Sequence, residues 1–213
     1  MKRGAALTAF FALWIVAAQA AAQDGMTVPP DEPVNGISQA EWSRAWWQWA
    51  GSFERNESPI ADQTGEFCDR KQAGPVWFLA GTYGTHRTVR TCAVPRGKFL
   101  FFPLINYVVM PPVDRMVSCM AVAELAASTT DDPSALVLEI DGKRVSDLGH
   151  FRQATRECFD MGARSEPAVR IFPSAANGYY VMLRPLSPGR HVINFGGVLP
   201  SLSQAVTYTL QVQ

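Results

Sequence analysis

Residues 74–106 read GPVWFLAGTYGTHRTVRTCAVPRGKFLFFPLIN, and the fold is decided by this stretch. Two apolar runs, 76–80 and 99–106, flank a middle run at 88–94, with Gly- and Thr-rich connections between them. Branched and aromatic runs bounded by turn formers are the pattern of strands buried on one or both faces. The stretch therefore predicts consecutive strands at the centre of an all-β core.

Upstream, Ser38-Gln39-Ala40-Glu41 has the form of a capping box. In that motif the serine oxygen takes an unpaired helix N–H while the glutamate reaches back to the cap. Trp42, Ala45, Trp46, Trp49 and Phe53 then recur at helical spacing and share one stripe. Burying each indole contributes about 4–6 kcal/mol by area, an upper bound because unfolded chains already hide part of that surface. The rings need a large apolar surface, and the sheet at 74–106 supplies it. Trp47 lies about 140° from Trp42 at 100° per residue, on the side of Ser43 and Arg44. Either a second wall, such as the N-terminal arm, covers it, or it is an exposed platform for a sugar ring or a partner.

Downstream, Pro111 and Pro112 interrupt the sheet, and Asp114 can cap a short helix over 115–127. That helix would turn Val117, Met120, Ala121 and Leu125 to one side. Leu136, Leu138 and Ile140 alternate with polar or outward residues as a half-buried strand, and Asp141-Gly142 is a hairpin signal. Residues 146–178 read as an irregular excursion with a short strand at 169–172. A meander follows: a strand at 179–184, a PLSPG turn at 185–189, a strand at 190–195, a break at Gly196-Gly197, and a closing strand at 205–212. In the last strand Val206, Tyr208, Leu210 and Val212 face one way, which implies one buried and one wet face. About eight short strands with polar turns make this a mainly β chain. The expected architecture is an antiparallel β-sandwich or jelly-roll-like single domain over 38–213, with a packed Trp-rich helix and a second short helix.

The ends of the chain set its compartment. Lys2 and Arg3, an apolar run over 5–18 and the small residues Ala18-Gln19-Ala20 form a secretory signal peptide over 1–22. The run is short for a membrane span and no second one follows, so no membrane insertion is expected after cleavage. About 190 residues remain, enough for one domain with a substantial core. Residues 23–37 are rich in proline and polar residues and read as an extended N-terminal arm. The 19 basic and 19 acidic residues balance, and losing Lys2 and Arg3 leaves 17 against 19, a net charge of −2. That gives no field for nucleic acid or anionic lipid.

Four cysteines in an exported chain favour two disulfides. Three pairings are possible, and Cys68–Cys92 with Cys119–Cys158 is favoured because each ties a loop-bearing segment to a neighbour in the chain. In the chain-entropy account each contributes about 3–4 kcal/mol. No C-x-x-C pair is present, which argues against a metal site. His86, His150 and His191 are far apart in sequence, and no metal or other cofactor is expected.

The blocks SQAEWSRAWWQWA, FCDRKQAGPVWFLAG, TCAVPRGKFLFFPLIN and LRPLSPGRHVINFGG together resemble a family of secreted, mostly bacterial proteins. The resemblance covers most of the mature chain and implies export, to the periplasm or outside the cell, and a shared fold. It implies no activity and assigns no catalytic residue.

The residues themselves name no reaction, because G-x-S-x-G, Walker, G-x-G-x-x-G and H-E-x-x-H motifs are all missing. His191 alternates with Ile193 and Phe195, as a hydrogen-bonded, partly buried ring would. Glu139 and Asp141, two apart on one strand, could serve as paired acids for glycoside hydrolysis, although the turn already accounts for Asp141. Gln72, Trp77, Asn106 and Glu124 are the more informative group. Asn106 ends an apolar run, where a buried amide needs partners or a ligand. They either form a structural polar network or, with Trp47, line a cleft for a sugar or another polar small molecule. The expected function is a secreted, non-enzymatic module that binds a polysaccharide, another envelope component or a protein partner through aromatic residues. A secreted glycan hydrolase and a purely structural accessory domain are the alternatives.

Overall fold

The structure is a computed structural model that describes residues 25–83, 87–112 and 114–213. The expected signal peptide lies outside the described residues. Helix α1 (Gln39–Ala50) is followed by strands β1 (Val76–Phe78), β2 (Thr88–Val94) and β3 (Phe99–Val109). Helix α2 (Cys119–Thr129) leads into β4 (Ala135–Ile140), β5 (Lys143–Arg144) and β6 (Arg152–Ala154). Strands β7 (Ala175–Leu183), β8 (Gly189–Leu199) and β9 (Leu202–Val212) complete the chain.

These strands form two sheets, ordered β1-β3-β7-β6 and β2-β9-β8-β4-β5. The protein is a β-sandwich, and the stretch at 74–106 is its centre. Its three strands do not lie side by side, because β2 crosses to the second sheet while β1 and β3 remain in the first. As a result β1 and β3 pair in parallel, and β2 pairs in parallel with β9. A parallel pair needs a crossover connection, and here the visit to the opposite sheet supplies it. The other ladders are antiparallel.

The sandwich core joins Leu100, Phe102, Leu104, Val181 and Leu183 to Leu138, Ile193, Phe195, Val206, Tyr208 and Leu210. Phe102 and Phe195 meet across it with ring centroids 4.6 Å apart. The first sheet is buried on its other face as well. There Val76, Phe78, Phe101, Tyr180 and Met182 receive Trp42, Trp46 and Trp49 from α1. Burial on both faces explains why 99–106 reads as an unbroken apolar run. Ser38 caps α1 by accepting the Glu41 N–H, and Glu41 itself pairs with Arg44.

The N-terminal arm packs onto this layer. Val28 is fully buried and donates its N–H to the Met182 carbonyl at 2.8 Å, beside a bridge between Thr27 and Leu183. Gln39 donates back to the Pro29 carbonyl, and the Trp42 indole N–H to Val34 at 3.2 Å.

Both disulfides form as expected, Cys68–Cys92 beside the sandwich core and Cys119–Cys158 between α2 and the 146–178 excursion. The Asp141-Gly142 turn joins β4 to β5 with φ of 50° and 78°, the left-handed pair that a tight hairpin requires.

Three local expectations are corrected. Helix α2 starts at Cys119, because Ser118 rather than Asp114 accepts the capping N–H, from Ala121 at 3.1 Å. It buries Val122 and Ala126 and leaves Met120 and Leu125 exposed. Residues 169–172 form no strand. The Asp160 carboxylate takes the N–H groups of Gly162 and Ile171 and closes that segment as a loop. Gly196-Gly197 does not break β8, since a Cβ at Gly197 would lie 2.8 Å from Ile105. That glycine admits the first sheet closely against the second instead of ending a strand.

Candidate functional site

The site is created by a register shift in β3. Leu100, Phe102 and Leu104 face the sandwich core, and strict alternation would send Ile105 outward and Asn106 inward. The pairing of β3 with β7 slips between Pro103 and Ile105, so Leu104 and Ile105 both enter the core. Asn106 is thereby turned to the helix side of the sheet. Proline has no N–H for the ladder and is tolerated in a strand at such a bulge. Opposite Asn106 stands Gly178, where a Cβ would come within 2.5 Å of the Asn106 Cα.

On that face Asn106 meets Tyr180, the partner of the bulge, and Trp47. The Asn106 Nδ2 donates to the Tyr180 hydroxyl at 3.1 Å, and the Trp47 Nε1 donates to the same oxygen at 2.8 Å. Tyr180 is fully buried and stacks on Phe101 at 5.5 Å. Burial pushes its phenol well above the ordinary value against the opposing pull of the two donors, so it stays neutral. Trp47 is half-buried, neither a free platform nor fully walled off, and packs edge-on against Trp46 at 5.0 Å.

Trp47 and Asn106 line a cavity of about 310 Å³ together with Trp46, Tyr83, Tyr107, Met161 and Gln204. Gln204 forms part of the wall and is fully engaged, donating to the Pro103 and Leu104 carbonyls and accepting the Thr82 N–H. Asn106 Oδ1 has no hydrogen-bond partner among the described residues. No carboxylate, histidine, lysine or arginine lines the cavity among the described residues. Its wall at Ile60 and Gly81 is anchored by Arg90, which is 1% exposed. Arg90 donates to the carbonyls of Ile60, Asp62, Ala80 and Gly81 and to the Tyr208 hydroxyl.

Of the residues singled out from sequence, the fold thus brings Trp47 and Asn106 together. Gln72 is elsewhere, a clamp that exchanges two hydrogen bonds with the backbone of Phe78 and donates to Cys68. Trp77 is buried in the sandwich core near the Cys68–Cys92 bridge. Its indole N–H lacks an acceptor among the described residues. Glu124 is exposed on α2 and belongs to no shared cleft. Trp77 faces the sandwich core because it alternates along β1 with Val76 and Phe78, which face α1, and Gln72 is taken up by the backbone of Phe78 and Cys68.

Glu139 and Asp141 do not act as a pair. Glu139 accepts from Asn194 at 3.0 Å, whereas Asp141 accepts the Val192 N–H at 2.8 Å and lies 2.7 Å from His191 Nδ1. Ser187 Oγ is 3.4 Å from His191 Nε2, which gives a serine–histidine–aspartate array that sequence motifs did not signal. The Ser187 carbonyl is nearer, at 2.9 Å, and takes the Nε2 proton. With both nitrogens donating, to Asp141 and to the Ser187 carbonyl, the ring is protonated, clasps two turns and has no lone pair to activate the serine. Burial opposes that charge, but the Asp141 hydrogen bond and the Ser187 carbonyl outweigh it and raise the His191 pKa. Among the described residues no group of three His, Cys, Asp or Glu could hold a metal ion. No helix among them is long and apolar enough to cross a membrane.

The fold and site define a class: a disulfide-bonded, mainly β, two-sheet domain with an aromatic-lined cavity between a helix and a sheet. No protein-family model and no curated protein matches the chain. Among solved structures, PbICP-C, determined in complex with falcipain-2, is 11% identical. It aligns over 66% of this chain and all of its own, with a TM-score of 0.29. The solution structure of amebosin is 12% identical over 61% of this chain and all of its own, with a TM-score of 0.20. Likeness at these scores says nothing about what the chain does.

Proposed function

We propose that the chain is an exported, non-enzymatic binding module that takes a neutral saccharide unit into the cavity formed by Trp47, Tyr83, Asn106 and Tyr107. Export rests on the signal-like N-terminus, the two disulfides and the family that the sequence blocks resemble. One observation carries the reading: an aromatic-lined cavity, with no charged side chain among its described lining residues, holds a buried amide whose orientation is fixed by Tyr180 and whose Oδ1 has no partner among the described residues. Indole and phenol faces suit the apolar faces of a pyranose ring, and the amide suits its hydroxyls. The volume of about 310 Å³ sits at the lower end of the range for ligand pockets, about 300–1,000 Å³. The absence of acids among the described lining residues favours binding over hydrolysis, which needs two.

A panel of neutral mono- and oligosaccharides titrated into the isotopically labelled protein tests this by NMR. Shifts should centre on Asn106 and the Trp47 indole. Tyr83→Ala, at the exposed mouth, should weaken binding without moving the melting temperature. If no neutral saccharide perturbs the Asn106 side-chain amide, the proposal fails.

A further inference from the structure

The cavity does not end at the aromatic residues. Met110 lines it and also lines a groove of about 810 Å³ between the end of β3 and the 169–173 segment. Below the surface the two spaces share a wall, since Met161 of the cavity packs in one cluster with Ile171 of the groove. The two spaces differ in chemistry. The cavity offers an amide, hydroxyls and aromatic rings, whereas the groove is walled by Met110, Pro111, Met116, Val117, Val169 and Phe172. Four of these are unusually exposed: Met110 at 47%, Met116 at 102%, Val169 at 53% and Phe172 at 45%. An open apolar strip of this kind marks a binding surface. Methionines suit a flexible chain, because an unbranched thioether adapts to irregular shapes. Arg115 and Arg170 also line the groove, and neither forms a salt bridge with a described residue. Guanidinium stems lie along apolar surface while their heads stay in water, so both are compatible with an apolar occupant.

We propose that the ligand is an amphiphile, with its saccharide head in the cavity and one apolar chain running past Met110 into the groove. This deepens the saccharide reading and rests on it. Neither space alone calls for such a molecule. Their adjacency at Met110 does, since a free sugar would leave the strip uncovered and a free hydrocarbon would leave the Asn106 amide unused.

The test is an NMR titration with methyl, hexyl and octyl β-glucosides and the matching N-acetylglucosaminides, all below their micelle concentrations. Each methylene that enters the groove should raise affinity by up to about fourfold. Phe172→Asp and Val169→Asp, both at exposed positions, should abolish that gain while leaving the affinity of the methyl glycoside unchanged. Chain-independent binding of all three would overturn the amphiphile and leave the saccharide reading intact. No binding of any member would overturn both. Octyl glycosides that bind through the groove with no response at Asn106 would also overturn the proposal. So would a dimer in sedimentation that Phe172→Asp dissolves, because the groove would then be filled by a second copy.

Discussion

The indole nitrogen of Trp47 and the phenol oxygen of Tyr180 lie 2.8 Å apart although 133 residues separate them in the chain. The same oxygen takes the Asn106 amide at 3.1 Å, so one buried hydroxyl sets the orientation of both polar groups at the cavity. Tyr180→Phe removes that acceptor and leaves two donors unmatched. The expected loss is about 1–3 kcal/mol in denaturant melts, with weaker saccharide binding in the same variant. An unchanged Trp47 indole resonance would show that the pairing is not made in solution.

Trp46 and Trp77 are both buried, but only one has its N–H satisfied. Trp46 donates to Leu79 at 3.0 Å, whereas Trp77 has no acceptor among the described residues. Trp46→Phe should therefore cost more than Trp77→Phe, by about 1–3 kcal/mol, because only the former abandons a buried carbonyl. Equilibrium urea unfolding of the two variants gives the comparison directly.

Arg90 is a buried cation whose hydrogen-bond acceptors are four backbone carbonyls and a phenol. Its replacement by methionine should keep much of the volume and lose every one of those bonds. A loss of at least about 3 kcal/mol is expected, with altered shifts at Ile60 and Gly81 on the cavity wall. A lysine at this position should rescue little, since an ammonium cannot reproduce the planar fork.

The His191–Asp141 clasp makes a pH prediction. Burial opposes charge on both groups, but their mutual hydrogen bond prevails, raising His191 above its ordinary 6.5 and lowering Asp141 below 3.8. For the histidine, the stabilisation is complete below pH 6.5 and is lost as pH rises through the higher folded value. For the aspartate, it is present above pH 3.8 and is lost as pH falls through the lower folded value. The clasp is thus strongest between these limits. His191→Gln should flatten the fall in melting temperature on the alkaline side and leave midrange pH less stable than in the parent.

The two disulfides differ in access. Cys68 and Cys92 are buried, while Cys119 is exposed and Cys158 half-exposed. Mild reduction of the folded protein, followed by alkylation and peptide mass analysis, should label Cys119 and Cys158 first. Equal labelling of all four thiols would contradict the packing around Cys68–Cys92.

Much of the sandwich was legible because its signals are local. Val206, Tyr208, Leu210 and Val212 alternate in the sequence and are buried as a set. The Asp141-Gly142 turn and the Ser38 cap likewise depend on a few adjacent residues. What could not be read was long-range. Asn106 reaches the helix side only because Leu104 is an extra residue in its ladder, and Pro103 inside an apolar run was the available clue. Gln72 and Trp77 resemble site residues in composition, yet Gln72 is taken up by backbone groups and Trp77 by the sandwich core. Glu124 is exposed on α2, and no local pattern in the sequence ties it to the other three. The triad-like array at His191 had no motif, since Asp141 is joined to His191 by sheet pairing across 50 residues.

The parallel pairing of β2 with β9 has a consequence for biosynthesis. Thr88 takes its place beside Val206, so the second sheet has no complete edge until the final strand has been made. A chain emerging from a ribosome or a translocation pore holds β2 as an orphan through most of its synthesis. The second sheet is therefore completed late, by a contact between strands far apart in the chain.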